Sequence, residues 1–436
     1  MAQVPDSRLK TLSFAKGVDN RSHETKVDPG YARKADNVDI DQDGVVTVRD
    51  GYELLAPLAN AHSLWSNDLL AFALVADSTT LYRMDPDGAL TALVTGLDGS
   101  DVGYALIANR VYWANSTQTG IVKLSGAVLP WGVETPLPSF TLTAVANGGL
   151  NAGTYGVAIT FASTEREEGG AEATVYVDVP EGGGVLVNNV PAAQQAASIE
   201  ARIYMTSTNG TDLQYVASAM PGAASYLLGA GALGRPLTTQ FCAPFPAVKY
   251  PLAKSGRLFG AFEDRMLIWS EPLYYGLWRP TMNFIRLQDP ITMIAAPEGA
   301  RFTLYIGTAK KVYVLQGEYG FRGEGLNSAT LSIVSHQGAI PGSMARVPPT
   351  ILGIEGVLAP VPLWAGYDGV PYAGTERGVE PMHKLFTYPL YDKAAATFVQ
   401  QGGHSRYIVS GRGGRTSGLA TSDVAVATVY DNGGGP

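Results

Sequence analysis

Apolar segments in this chain are short, and glycine or proline cuts each one off before a helix of useful length can form. The 436 residues include 51 glycines and 27 prolines with no period of three. Between them stand runs rich in Val, Ile, Thr, Tyr, Phe and Trp. Such punctuation predicts many short strands joined by tight turns, and therefore an all-β fold. Helical spacing is confined to residues 393–399 and 192–197, each enough for a turn or two.

The rhythm of the strands sets the organisation. Asp43-Gly44 stands between the runs 37–41 and 45–49. Asp-Gly is a strong hairpin signal because glycine takes a positive φ without strain. Residues 62–94 then hold four runs: 63–65, 69–75, 80–84 and, after the turn Asp85-Pro86-Asp87-Gly88, 89–94. A looser version follows at 104–108, 110–114 and 121–124. Units of about 40 residues with four strands are the rhythm of propeller blades. From Pro136 aromatics thin out, and 139–245 carries some seven short strands in about 100 residues, which suits an immunoglobulin-like or fibronectin type III-like sandwich. Strands are expected there at 153–161, 173–179, 184–187, 201–206, 213–217 and 225–228. The first texture returns at Ala247 with hairpins at 256–270 and 302–315, then runs at 351–358, 363–367, 406–410 and 424–430, the last a candidate closing strand. The expected fold is a β-propeller-like body (1–138 and 246–436) interrupted by an inserted β-sandwich (139–245).

Composition narrows the function. Apolar residues make up 46% of the chain and charged residues 16%, enough apolar material for substantial cores. No apolar run reaches the ~20 residues needed to span a bilayer, so membrane insertion is not expected. Residues 1–16 lack the apolar stretch of a secretion signal. A net charge of −8 argues against a general nucleic-acid binder, which would carry a basic stripe. It leaves room for a protein that surrounds DNA without gripping it, since a negative lumen would let a duplex slide past by like-charge repulsion, but sequence does not place these charges on a lumen. Cys242 is the only cysteine and the five histidines are scattered, so neither a disulfide nor a local zinc motif is available.

Several stretches carry a resemblance. Gly17-Val18-Asp19-Asn20, then Ala35-Asp36-Asn37-Val38-Asp39, then Gly44 and Arg49-Asp50-Gly51-Tyr52, resemble the N-terminal pattern of tailed-bacteriophage virion proteins. So do Gly256-Arg257-Leu258, Trp269 to Leu277, Asn283-Phe284-Ile285, Ala152 to Tyr155 and Arg202 to Thr206. The group is similar to the propeller-bearing tail nozzle or phage stabilisation proteins at the head-to-tail connector. The resemblance implies a non-enzymatic virion subunit, made in the host cytoplasm. It would form a homo-oligomeric ring, a hexamer by resemblance, around the DNA channel and help retain or gate the genome. Its partners would be other tail or connector proteins, with DNA passing unrecognised. The alternative is a tail-tip or baseplate protein involved in host receptor recognition, and a third reading is an enzyme on a propeller scaffold.

Four features are candidate sites. Asp39, Asp41 and Asp43 with Gly44 place carboxylates at calcium-loop positions 1, 3 and 5, but the last ligand would be the short Asp50, and an exposed Asp-Gly hairpin competes; no other cofactor is expected. Trp269, Tyr274, Tyr275 and Trp278 form either an interface hot spot or core between blades. Arg412 and Arg415, on a glycine-rich stretch with Arg406, are candidates for contact with DNA or an acidic partner. Residues 165–168 (Glu-Arg-Glu-Glu) read as a solvated acidic turn. Gly229 to Gly234 matches a dinucleotide glycine pattern, but Arg235-Pro236 follows at once, so a loop is expected. No catalytic signature such as GxSxG, HExxH or a P-loop is present.

Overall fold

The computed structural model describes residues 14–35, 38–40, 44–48, 53–137, 139–171, 173–299, 303–317, 329–348, 359–382, 391–401, 404–414 and 424–428. The described residues are nearly all strand and turn; their one helical element is the 3-10 turn Glu24–Lys26. They fall into two units, residues 56–288 in one and residues 14–55 with 289–428 in the other.

The first unit begins with two antiparallel four-stranded meanders. Ala61–Trp65, Ala73–Asp77, Thr80–Met84 and Leu90–Thr95 pair in chain order, as do Gly103–Ile107, Arg110–Ala114, Thr119–Lys123 and Val128–Leu129. The turns follow from local chemistry. Gly88, at φ 86°, closes the expected Asp-Pro-Asp-Gly turn by donating its N–H to Asp85 O at 2.9 Å. Ala108 and Asn109 both take positive φ (51° and 58°) between the paired Ile107 and Arg110, the two-residue hairpin geometry that matches strand twist. A third meander, Lys249–Lys254, Arg257–Phe262, Met266–Trp269 and Phe284–Arg286, has the same plan, with Ser255 and Gly256 as its two-residue turn. Four-stranded meanders of this kind are the units from which propellers are built.

Arg110–Ala114 shows why these sheets need neighbours on both sides. Val111 and Trp113 join a core with Leu74 and Leu81 of the first meander, while Tyr112 and Ala114 join another with Leu258 and Ile268 of the third. Alternate side chains point to opposite faces, and here both faces are buried. Gly120 follows from that density: a Cβ there would lie 2.6 Å from the Trp113 ring.

Between the second and third meanders the chain builds two sheets over one core. Thr141–Leu150, Gly183–Asn188 and Ser225–Leu228 form a three-stranded sheet. Val175–Val179, Gly153–Ser163, Ser198–Thr206 and Leu213–Ala219 form a four-stranded one. Val157, Ile159, Phe161, Ile203 and Met205 of the larger sheet meet Val185, Val187 and Leu228 of the smaller. The opposite face of the larger sheet carries Ala158, Tyr204 and Leu213 in a smaller cluster.

The second unit contains the four-stranded sheets Ile291–Ala295, Thr303–Thr308, Val312–Gln316, Thr330–Ser335 and Ala345–Val347, Val361–Ala365, Pro371–Gly374, Val379–Pro381. It also holds the three-stranded Tyr391–Gln401, His404–Gly414, Val424–Thr428 and the hairpin Val38–Ile40 with Val46–Val48. Gly44, at φ 81°, sits in that hairpin's connection, as Asp-Gly predicts.

Four expectations need correction or placement. Residues 393–399 are not helical: they lie in Tyr391–Gln401, paired residue by residue with His404–Gly414. Cross-strand pairing and burial of Tyr391, Ala394 and Tyr407 in one core outweigh the helix preference of the alanines. Residues 192–197 are also non-helical. The expected closing strand, Val424–Thr428, pairs with Arg406 to Ser410 in its own sheet. The run 351–358 lies outside the described residues.

Candidate interaction site

The aromatic stretch that the sequence marks is the connection between Met266–Trp269 and Phe284–Arg286, two strands that pair with each other. It is pinned at both ends. Trp269 N–H donates to Asn283 O at 3.2 Å, Asn283 Nδ2 donates to Glu271 Oε1 at 2.7 Å, and Glu271 N–H donates to Leu277 O at 2.8 Å. Glu271 and Asn283 are both buried. Arg279 Nε approaches Glu271 Oε1 to 3.5 Å, and buried Arg257 donates through Nη1 to Ser270 O at 2.7 Å. Burial pushes the Arg257 guanidinium below its ordinary value, and the charge of Glu271 opposes that shift. A paired, hydrogen-bonded carboxylate is what makes buried guanidinium tolerable here.

This frame sorts the four predicted aromatics. Trp269 and Trp278 are core side chains, set against Phe259 and Phe262 with ring centroids 6.3 and 5.9 Å apart. Tyr275 is half-buried, edge-on to Tyr112 at 5.9 Å, and its carbonyl accepts from Trp131 Nε1 at 2.9 Å. Tyr274 turns outward at 47% exposure beside Leu273 at 72%. Leu273 has φ 63° and donates its N–H to Gly256 O at 2.9 Å. A bulky residue in the left-handed region costs of order 1–3 kcal/mol and persists only where surroundings enforce it. The chain thus spends stability to hold a leucine in solvent.

Beside this loop lies a cleft of about 470 Å³, lined by Thr135, Phe241, Cys242, Arg279, Pro280 and Met282 among others. Phe241 is 63% exposed and also has a positive φ, 61°. Cys242 is buried, and burial pushes its thiol up to about 11, with Arg279 pulling the other way. The hydroxyl of Thr135 is buried without a hydrogen-bond partner, whereas Nε of Arg279 is held by its ion pair with Glu271. The sequence reading missed Glu271, Asn283, Arg279 and Phe241, since nothing in their local pattern distinguishes them from surface residues.

The acidic turn is a second departure. Glu165 and Glu167 bind Arg110, Glu165 at 3.1 Å and Glu167 at 2.5 Å, and Lys123 reaches Glu165 at 2.8 Å. Glu168 is no solvated side chain. It accepts from Thr160 Oγ1 at 2.7 Å, Tyr204 OH at 2.5 Å, Arg202 Nη1 at 2.8 Å and Arg235 Nη2 at 2.6 Å. Glu168 is therefore the hub of a polar network on the outer face of the larger insert sheet, because strand pairing brings Thr160, Arg202 and Tyr204 to one side.

The other candidates are placed more simply. Asp39 pairs with Thr47 in the N-terminal hairpin, and Asp41 and Asp43 lie outside the described residues. Arg412 sits in the strand His404–Gly414 opposite Lys393, not on a loop, and Arg415 lies outside the described residues. Residues 229–234 form an irregular segment with no helix, so no dinucleotide turn is built there.

No family model matches the chain, and no curated protein does. Solved structures overlap it weakly. BBS1N in complex with ARL6DN is 11% identical, with 87% of this chain and 95% of that one covered at a TM-score of 0.35. Streptogramin B lyase is 8% identical, with 80% and 91% covered at 0.33. BamB from Moraxella catarrhalis is 11% identical, with 86% and 87% covered at 0.30. Likenesses this weak assign no function, and the all-β fold stands on its own strand order.

Proposed function

We propose that this protein is a structural subunit of a tailed-phage virion that works by assembly. In this reading it is a nozzle- or connector-type subunit whose copies form a ring around the DNA channel, with no enzymatic step. The observation that carries the assembly role is the pinned loop 270–283. Leu273 and Tyr274 are held in solvent by a strained backbone over a rigid aromatic base, and rigid exposed aromatic and aliphatic anchors are what interfaces use. The chain order supports the placement: meanders, a two-sheet insert, then meanders again, as the tail nozzle resemblance implies.

The finer architecture belongs to the same proposal. The meanders are blades of a propeller-like body, and residues 139–245 are an immunoglobulin-like or fibronectin type III-like insert. In the larger sheet the second insert strand is flanked by the third and the fifth, and the sixth lies beyond the fifth. That matches the C′-C-F-G order of such sandwiches. The last strand, Ser225–Leu228, lies beside Gly183–Asn188, the edge that strand D occupies in immunoglobulin domains.

The test is location in the particle. Gly182 is exposed with nothing near its Cβ direction, so an epitope inserted there should be accessible. Electron microscopy of labelled virions should show a ring of label on the tail axis just below the head. Label at the distal tip would instead support receptor recognition, and purified virions that lack the tagged chain altogether would refute both.

A further inference from the structure

Two segments join the two-sheet insert to the meanders, residues 130–140 on entry and 229–248 on exit. Domains linked in this way move against each other by default, unless their junction is tightly packed. Here both linkers close on one stretch of the insert. Residues 163–171 leave the strand Gly153–Ser163 and run back over the outer face of the larger sheet, where Ala171 joins Ala158, Tyr204 and Leu213. The exit segment follows the same face. Leu237 N–H donates to Leu213 O at 2.9 Å, Ala171 N–H to Thr239 O at 3.3 Å and Phe241 N–H to Ala171 O at 2.7 Å. Ala171 and Gln240 thereby form a parallel bridge.

The entry segment meets the same stretch. A Cβ on Gly169 would lie 2.6 Å from Glu134 O, and one on Gly170 would run into the carbonyl of Cys242 on the exit segment. Backbone passes backbone there at a distance that only glycine permits. Glu134 Oε1 also accepts from the N–H groups of Gln194 and Gln195, both at 2.8 Å. The meanders hold the linkers from the other end. In the third meander, Tyr275 O accepts from Trp131 Nε1 of the entry segment, and Gly276 O accepts from Phe245 N–H of the exit segment at 2.8 Å. Ala243–Pro244 pairs with Leu277–Trp278. From the second meander, Arg110 and Lys123 reach Glu165 and Glu167. These four side chains are 22–37% exposed, and ion pairs so open to water add little. Backbone hydrogen bonds and the glycine contacts carry the closure.

We infer that residues 163–171 are a strap that locks the insert to its flanking meanders, so that residues 103–286 move as one rigid body with no hinge at either junction. The consequence is mechanical: a partner that grips the insert also fixes the direction of the two meanders. The lock is independent of the assembly role and would hold if that role failed.

The experiment is a pair of nitroxide labels on the full chain, one at Ala127→Cys in the second meander and one at Thr211→Cys in the insert, read by double electron–electron resonance. Both positions are exposed, and the one native thiol, Cys242, is buried. The distance distribution should be single and no wider than that of a control pair inside the insert, Ile199→Cys with Thr211→Cys. Gly170→Ala should widen the first distribution at least twofold and leave the control pair unchanged. Because that variant risks misfolding, hydrogen exchange of the parent protein gives a second readout. The amide of Phe241 should exchange as slowly as the paired amides of Gly153–Ser163, although Phe241 is 63% exposed, since its N–H is held by Ala171 O. A broad or multi-peaked distribution across the junction, a Phe241 amide that exchanges at the rate of an open loop, or a folded Gly170→Ala variant that stays narrow would each overturn the proposal.

Discussion

The amide of Asn283 donates to Glu271 Oε1 at 2.7 Å with both side chains buried, and this one bond ties the far end of loop 270–283 to its beginning. Replacing Asn283 by alanine leaves a buried carboxylate short of a donor, a loss of about 1–3 kcal/mol. Glu271→Ala strands guanidinium instead and should cost more, about 3–5 kcal/mol. Urea unfolding of the two variants should show this order. Equal midpoints to the parent protein would mean the loop is held by something else.

Glu168 receives four donors from two strands and a loop. Tyr204→Phe removes one of them and should cost about 1–2 kcal/mol. Glu168→Ala should cost more, about 3–5 kcal/mol, because Arg235 loses its carboxylate partner and Arg202 one of its two. A double-mutant cycle should return a coupling energy well above zero, since the two share one network. Additive losses would contradict the hub geometry.

Asp98 accepts from Ser100, Ser116, Thr117 and Asn115. The Ser100 hydroxyl first, then those of Ser116 and Thr117, hold its carboxyl well below the ordinary 3.8. A lowered folded pKa means that the unfolded chain binds its proton first as pH falls. The stabilisation is present above pH 3.8 and is lost as pH drops through the folded value. The difference in thermal midpoint between the parent protein and Asp98→Asn should therefore be largest near neutrality and shrink below pH 3.8. A gap that widens in acid would invert the assignment.

Cys242 gives the opposite sign. Burial raises its thiol from 9.0 to about 11, so the folded protein keeps a proton that the unfolded chain gives up. That contribution is full below pH 9.0 and disappears as pH rises through about 11. Alkylation of the native protein should stay slow at pH 9 and accelerate only toward pH 11, whereas in denaturant it should be fast by pH 9. Rapid native alkylation at pH 8.5, the ordinary range of a free thiol, would show that the thiol is not buried.

Gly120 faces the Trp113 ring so closely that a Cβ would lie 2.6 Å from it. Gly120→Ala should cost about 1–3 kcal/mol by overpacking. Leu273→Asp, at a solvent-facing position, should change stability by less than about 0.5 kcal/mol yet abolish self-association in sedimentation. Retained association would remove the loop from the assembly surface.

What the sequence by itself determined was local. Asp-Pro-Asp-Gly at 85–88, Asp-Gly at 43–44 and the alternation of 153–161 each carry their own turn or pleat chemistry, and the strands Thr80–Met84 and Arg110–Ala114 appear where their residues put them. The all-β class follows, because every neighbouring segment has the same short-range signal. The tertiary structure decided which faces are buried and which charges meet. Trp278 and Tyr274 are equally apolar neighbours in sequence, yet one is 8% and the other 47% exposed, since only contact with Phe262 tells them apart. Glu168 looked solvated because its partners, Tyr204 and Arg235, lie 36 and 67 residues away. Ala394 looked helical until a strand beyond it claimed its backbone. Long-range hydrogen bonds and burial are properties of pairs, and a single residue's spacing does not carry them.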